Sequence, residues 1–226
     1  MSFPESWQWK VLLLLFGVGS VSVIGFAIAL ANGMADPPRA SYLIWEDTPI
    51  SWQKVTNPKT NLEWYVSPHP LTTVNEFTLE VEGTIQADIP TLTAWGIWFQ
   101  VADERWLVVG INGHQYVTVR YCESLTWDYR LLSCMPAFEP TQQIETVWKY
   151  FHLIKPVGQP NRIQLTRLAL RSTTLTLRFG GEWMWDVALE SDFRFEKWGI
   201  WVAQPQDSSQ ALVLWTTIRL WGNIEN

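Results

Sequence analysis

The chain has 226 residues, of which 47% are hydrophobic and 17% charged, and it carries a formal net charge of −6. Its length suits one domain with a sizeable buried core behind a short extra segment. The acidic balance and the lack of any Lys/Arg cluster exclude nucleic-acid binding, which needs a basic stripe to neutralise phosphate.

Residues 1–10 read as a short cytoplasmic tail. Val11 to Ala31 is a run of 21 residues with no charge and no proline. As a helix rising 1.5 Å per residue it reaches about 31 Å, close to the hydrocarbon thickness of a bilayer. Trp7 and Trp9 precede it where an aromatic belt would sit, Lys10 lies at its front edge, and Asp36, Pro37 and Pro38 end it. The flanks carry Glu5 and Lys10 on one side and Asp36 and Arg39 on the other, so the positive-inside bias is nearly nil. A short tail before a large C-terminal domain favours the tail inside the cell and the domain outside, at the cell membrane. Ala29-Leu30-Ala31 has the small-x-small form of a signal cleavage site, but the apolar stretch is longer than the 7–15 residues of a signal h-region, which favours a single-pass anchor. Gly25 and Ala29 form a small-xxx-small pair of the kind that packs helices together in lipid.

Residues 32–61 read as a linker and the irregular start of a domain that runs over 62–226. Pro37, Pro38, Pro49, Pro58, Pro68 and Pro70 forbid a long helix there. Short strands are expected at Tyr42–Trp45 and Leu62–Val66. Strict alternation then takes over. Phe77, Leu79, Val81 and Ile85 alternate with Thr78, Glu80, Glu82 and Thr84. Leu175, Leu177 and Phe179 alternate with Thr174, Thr176 and Arg178, and Trp183, Trp185, Val187 and Leu189 with Met184, Asp186 and Ala188. Further strands are expected at Ala94–Val101, Trp106–Ile111, Gln115–Tyr121, Ile163–Leu170, Trp198–Ala203 and Leu212–Leu220. Asn112-Gly113 and Gly180-Gly181 are expected to make tight hairpin turns. Nine or more strands at this spacing predict an all-β, two-sheet antiparallel sandwich behind one N-terminal transmembrane helix.

The order Phe77–Gly83, Trp95-Gly96-Ile97-Trp98-Phe99 and Trp106–Gly110 resembles the first half of concanavalin A-like jelly rolls, the laminin-G-like and glucanase-like domains. Asn161-Arg162-Ile163, the Gly180-Gly181 hairpin, Trp198-Gly199-Ile200-Trp201 and a last strand ending near Trp221 resemble the second half. The resemblance covers about residues 62–222 and implies a jelly-roll sandwich. It rests on strand pattern and glycine placement, which speak for fold more than for activity.

Glycosidases of that fold carry a Glu-x-Asp-x-x-Glu motif whose carboxylates share a strand face, and this chain lacks it. Glu80 and Glu82 have the right separation but read as the solvated face of an ordinary strand, as do Asp186, Glu190 and Asp192. His69, His114 and His152 form no Ser/His/Asp pattern, so no catalytic residue is expected and the chain reads as non-enzymatic. No metal site or cofactor is expected either; Asp103-Glu104 and Asp207 are the sole candidates for calcium. Cys122 and Cys134, the two cysteines, either form a disulfide in an exported domain or stand as two separate buried thiols. A disulfide there would contribute roughly 3 kcal/mol through loop closure.

Sixteen tryptophans remain to be placed. The tetrapeptide Trp-Gly-Ile-Trp occurs at 95–98 and again at 198–201. In a strand Trp95, Ile97 and Phe99 share the core face, as do Trp198, Ile200 and Val202. Trp98 and Trp201 then point the other way beside Gly96 and Gly199, with Trp215 as a neighbour. Three readings follow: these rings stack on glycans, they dock another protein or the lipid surface, or the long segment 122–160 folds over them. The main functional expectation is a membrane-anchored binding or accessory subunit, with the bilayer and other membrane subunits as partners. The alternative is a lectin-like or glycoside-hydrolase-related module that takes carbohydrate.

Overall fold

The computed structural model describes residues 5–31, 42–57, 62–71, 76–87, 92–102, 105–123, 134–136, 148–168, 173–189, 195, 197–203 and 213–222. The linker residues 32–41, Asp103–Glu104, Trp127, Tyr129, Glu190, Asp192 and Asp207 lie outside them. The chain divides into two compact units, Met1–Arg39 and Ala40–Asn226.

The first unit contains α1 (Glu5–Ala31), a helix of 27 residues that begins ahead of the charge-free run and ends with it. The stretch Trp9–Ala27 is long and apolar enough to cross a membrane. Its large apolar side chains from Leu12 to Phe26 are exposed. Ser22, one of two serines in the run, returns its hydroxyl to the Val18 carbonyl at 2.9 Å, so it adds no unpaired group to the apolar surface.

The second unit is built from strands. In chain order they are β1 (Tyr42–Asp47), β2 (Gln53–Asn57), β3 (Leu62–Val66), β4 (Phe77–Ile85), β5 (Ala94–Ala102), β6 (Arg105–Asn112) and β7 (Tyr116–Cys122). There follow β8 (Met135–Pro136), β9 (Lys149–Tyr150), β10 (Asn161–Arg167), β11 (Thr174–Phe179), β12 (Glu182–Ala188), β13 (Lys197–Ala203) and β14 (Val213–Gly222). Every pairing between them is antiparallel. One sheet has six strands in the order β1-β14-β4-β10-β11-β12, and the other eight in the order β2-β3-β13-β5-β6-β7-β8, with β9 also on β7. β1 and β2 fall within 32–61 and form an edge of each sheet. β2 is silent in the sequence because Gln-Lys-Val-Thr-Asn offers one apolar residue to a strand whose outer side faces water.

The apolar members of the alternating strands meet between the sheets. Leu79, Val81, Ile163, Leu165, Leu177, Phe179, Trp95, Ile97, Phe99, Val109, Ile200 and Leu220 all belong to one buried cluster. A run of near-parallel rings enters it from the edge: His69 on Trp45 at 4.5 Å, Trp45 on Trp198 at 5.8 Å and Trp198 on Phe99 at 6.4 Å. The outward face of the six-stranded sheet is polar but not freely solvated, and here the expectation for Glu80 is corrected. Its side chain is 2% exposed, with Oε2 at 3.3 Å from Arg162 and Oε1 at 3.6 Å from Arg219. Cross-strand neighbours on β10 and β14 supply a guanidinium to each oxygen, which is what a shielded carboxylate requires.

The Gly180-Gly181 hairpin forms with both residues in the left-handed region, at φ 63° and 96°. The β6–β7 connection differs from the two-residue Asn-Gly turn. It has three residues, Gly113 to Gln115, and the left-handed position falls on Gln115 at φ 68°. A three-residue loop ends on a left-handed residue so that the following strand rejoins the register. The Asn112 side chain is occupied in closing that loop, accepting from the amides of His114 at 3.0 Å and Tyr116 at 3.1 Å.

Gly96 and Gly199 are required by close backbone approach. A Cβ on Gly96 would fall on the Val109 carbonyl, and one on Gly199 on the Tyr65 carbonyl. Gly96→Ala and Gly199→Ala should each destabilise the domain by about 3 kcal/mol, which lowers Tm by roughly 6–12 °C in a domain of this size. Gly83→Ala, whose Cβ would meet only side-chain atoms, the Trp215 ring and Val213 Cγ1 at 3.2 Å, should lower it less. Thermal denaturation followed by near-UV circular dichroism checks the order.

Candidate functional site

The two Trp-Gly-Ile-Trp segments lie on β5 and β13, which are adjacent and antiparallel with Ile97 opposite Ile200. That register sets Trp98 across from Gly199 and Trp201 across from Gly96. Residues opposite each other share a face, so each indole lies over the glycine of the other segment. The space is used fully. A Cβ on Gly199 would come within 2.9 Å of Trp98 Nε1, and one on Gly110, the next strand over, would strike the Trp201 ring.

Trp98 and Trp201 therefore stand together on the outward face of the eight-stranded sheet. They are enclosed there, at 4% and 0% exposure, in a second apolar cluster with Leu62, Trp64, Trp106, Val108, Cys122 and Cys134. Of the dispositions open from the sequence, the structure shows the covered one. Trp64 meets Trp98 edge-on at 5.7 Å. Trp201 Nε1 donates to the Val109 carbonyl at 3.2 Å. Trp98 Nε1 has no acceptor among the described residues, although it is buried. Buried donors are normally paired, with protein groups or with ordered water.

Trp215 is corrected: it is no neighbour of these rings. It sits on β14 in the other sheet, just before a register shift between Trp215 and Thr217. Its ring turns inward and meets Trp95 edge-on at 5.1 Å.

Cys122 and Cys134 are joined in a disulfide across a sequence separation of 12. Both sulfurs belong to the cluster that holds Trp98 and Trp201. Just beyond, β8 pairs back onto Arg120 and Tyr121 of β7. The disulfide ties the edge of β7 to Cys134, and β8 continues the sheet beyond β7. Arg120 lies on the same face, and desolvation pushes its guanidinium below the ordinary arginine value. Along the outward side of β7 the order is Cys122, Arg120, Thr118 and Tyr116. The first three are buried and the last opens to solvent.

A second polar constellation closes the sandwich edge at the β1–β2 crossover. Asp47 accepts the Thr48 amide at 2.7 Å and Trp52 Nε1 at 2.8 Å, and His69 Nε2 lies at 3.6 Å. Partial desolvation works against the Asp47 charge. The Trp52, Thr48 and His69 interactions outweigh it and hold the carboxyl below the ordinary aspartate value. Asp186 accepts the Thr176 hydroxyl at 2.7 Å. His114 sits in the β6–β7 turn, and His152 meets Phe151 edge-on at 5.5 Å. Among the described residues no group of three His, Cys, Asp or Glu is placed to hold a metal.

No protein-family profile matches the chain, and no curated protein matches it. Among solved structures it is similar to the carbohydrate binding module CBM66 from Bacillus subtilis, with 11% identity over 82% of this chain and 100% of that chain and a TM-score of 0.51. It is also similar to the Ca2+-bound exoplasmic/lumenal domain of VIP36, with 10% identity over 78% of this chain and 80% of that one and a TM-score of 0.48. The carbohydrate recognition domain of Emp46p in potassium-bound form shows 14% identity over 71% and 76%, with a TM-score of 0.48. At these identities the first similarity shows the fold. The chain carries a concanavalin A-like, two-sheet jelly roll behind one apolar N-terminal helix.

Replacing both cysteines in Cys122→Ala/Cys134→Ala should cost roughly 3 kcal/mol by the loop-closure argument and raise the binding of an apolar dye as the tryptophan face loosens. An unchanged Tm and dye signal would show that the face is held without the disulfide. Because the Asp47 carboxyl is depressed in the folded state, its stabilisation is full above the ordinary aspartate range and disappears as pH falls through the folded value. Asp47→Asn should therefore flatten the acid limb of the stability profile while changing the slope above neutral pH little, as read from urea unfolding across pH.

Proposed function

We propose that this chain is a carbohydrate-binding, lectin-like β-sandwich that works by binding rather than catalysis and is held at the extracytoplasmic face of a membrane by α1. The observation that carries the reading is the outward face of the eight-stranded sheet. Aromatic rings are concentrated along it, buried at Trp64, Trp98, Trp106 and Trp201 and open to solvent at Tyr116. Aromatic rings that open to solvent supply the flat apolar surface that the C–H face of a sugar needs, while the buried indoles behind them hold the face in place. The similarity to a module named for carbohydrate binding supports the same reading.

Placement outside the cytoplasm is supported by the Cys122–Cys134 disulfide, since such bonds persist in oxidising compartments. A helix able to cross a bilayer ahead of the domain supports anchoring, with the tail 1–10 on the cytoplasmic side. Glu80 is bound on both oxygens by arginines and Asp186 by a threonine, so neither is poised for acid–base work.

The full chain in mild detergent should be retarded by at least one immobilised polysaccharide in affinity electrophoresis. Retention on no glycan, together with stoichiometric membrane subunits copurifying in the detergent, would replace this reading with that of an accessory subunit. Protease added to intact cells should digest the C-terminal domain.

A further inference from the structure

The tryptophan half of the sheet face is covered, so a ligand arriving from solvent must first meet its open end. That end is formed by Tyr116 and Tyr150. Tyr116 is the last outward residue of β7, and Tyr150 of β9 lies directly opposite it. The two rings are 5.8 Å apart at 72°, and the residues are 37% and 54% exposed. We infer that this pair of rings is the platform on which a sugar ring of a glycan stacks, an inference that rests on the carbohydrate-binding reading above and gives it a place.

The pair is held rigidly for so short a strand. β9 has two residues, and the chain is locked on both sides of the turn opposite it. The Phe151 amide donates to the Gln115 carbonyl at 2.9 Å. The Gln115 side-chain amide donates in turn to the Ile154 carbonyl, and Ile154 is fully buried in the core. Gln115 adopts a left-handed backbone, φ 68°, at a place where glycine would do so without strain. The Asn112 side chain accepts the Tyr116 amide and so fixes the first residue of β7. Both rings are thus presented in a set geometry, which lowers the entropy lost when a ligand stacks on them.

Size and chemistry select the occupant. Two tyrosines at these exposures offer on the order of 200 Å² of surface, given about 150–250 Å² for a whole aromatic side chain. A stable protein interface needs roughly 800 Å² on each partner, so the patch is too small for a protein and suits one or two sugar rings. His114, in the turn that leads into β7, is an exposed polar residue next to it in the chain. A right-angled pair of phenols makes a corner: the C–H face of a pyranose lies on one ring, and hydroxyls of ligand and protein meet along the other.

The test uses the full chain in mild detergent and affinity electrophoresis against a soluble β-1,3-glucan, a mannan and a xylan. Tyr116→Ala and Tyr150→Ala should each weaken binding at least tenfold to whichever polysaccharide retards the native chain. Tyr42→Ala, at an exposed tyrosine on the edge of the other sheet, should bind as the native chain does. Native retardation with unchanged binding in both alanine variants overturns the platform and leaves the carbohydrate reading standing. No retardation of the native chain by any of the three polysaccharides overturns both. Should an alanine variant lose its melting transition, the comparison passes to Tyr150→Trp and Tyr150→Gln. The platform requires binding kept in the first and lost in the second, and equal binding in the two overturns it.

Discussion

The structure depends on one cross-strand fit. Two copies of Trp-Gly-Ile-Trp lie side by side in antiparallel register, where Gly199 leaves room for Trp98, Gly110 of β6 leaves room for Trp201, and Gly96 admits the Val109 backbone. The fit has an approximate two-fold symmetry about Ile97 and Ile200. Shifting the register by one residue would turn every side chain of β13 to the other face and drive indoles onto backbone. The pair is therefore a strong determinant of how the eight-stranded sheet is assembled, and its neighbours β3 and β6 supply the Tyr65 and Val109 carbonyls that a Cβ would strike.

A consequence is that the eight-stranded sheet is apolar on both sides. Its inner face feeds the central core through Trp95, Ile97, Phe99 and Ile200, and its outer face forms the cluster of Trp64, Trp98, Trp106 and Trp201. A sheet face of that kind has to be covered, and the Cys122–Cys134 disulfide, with both cysteines in the cluster, contributes to the cover. The six-stranded sheet solves its outer face differently. It uses threonines, with Thr78 and Thr166 in contact at 3.2 Å, and ion pairs around Glu80. One sandwich thus has a polar outer face and an apolar one, and only the apolar one calls for something to rest on it.

That asymmetry links fold to function. The apolar face changes along β7 from a closed tryptophan end at Cys122 to an open tyrosine end at Tyr116. Rings are concentrated at both ends, but water and ligands reach the tyrosines. The Trp98 N–H, which has no acceptor among the described residues, lies within the closed part.

Much of this was legible in the chain itself, and for physical reasons. Absence of charge from Val11 to Ala31 is enough to define a helix that lipid would accept, because hydropathy is a local property. Alternation at Phe77–Ile85 and Leu175–Phe179 identifies strands with one buried face, since side chains on a strand point to opposite sides in turn. The repeated tetrapeptide even indicated that Trp98 and Trp201 share a face. What tertiary structure decided were matters of partnership between distant segments: the register that seats each indole on a glycine, the covering of those indoles, the placing of Trp215 in the opposite sheet, and the shielding of Glu80 by two arginines. β2 and β9 also belong to that class, because strands of so few or so polar residues exist only when a neighbour supplies their hydrogen bonds. Tyr116 and Tyr150 meet for the same reason. Local sequence sets what a residue can do, but which ring faces which is settled only when non-local strands pair.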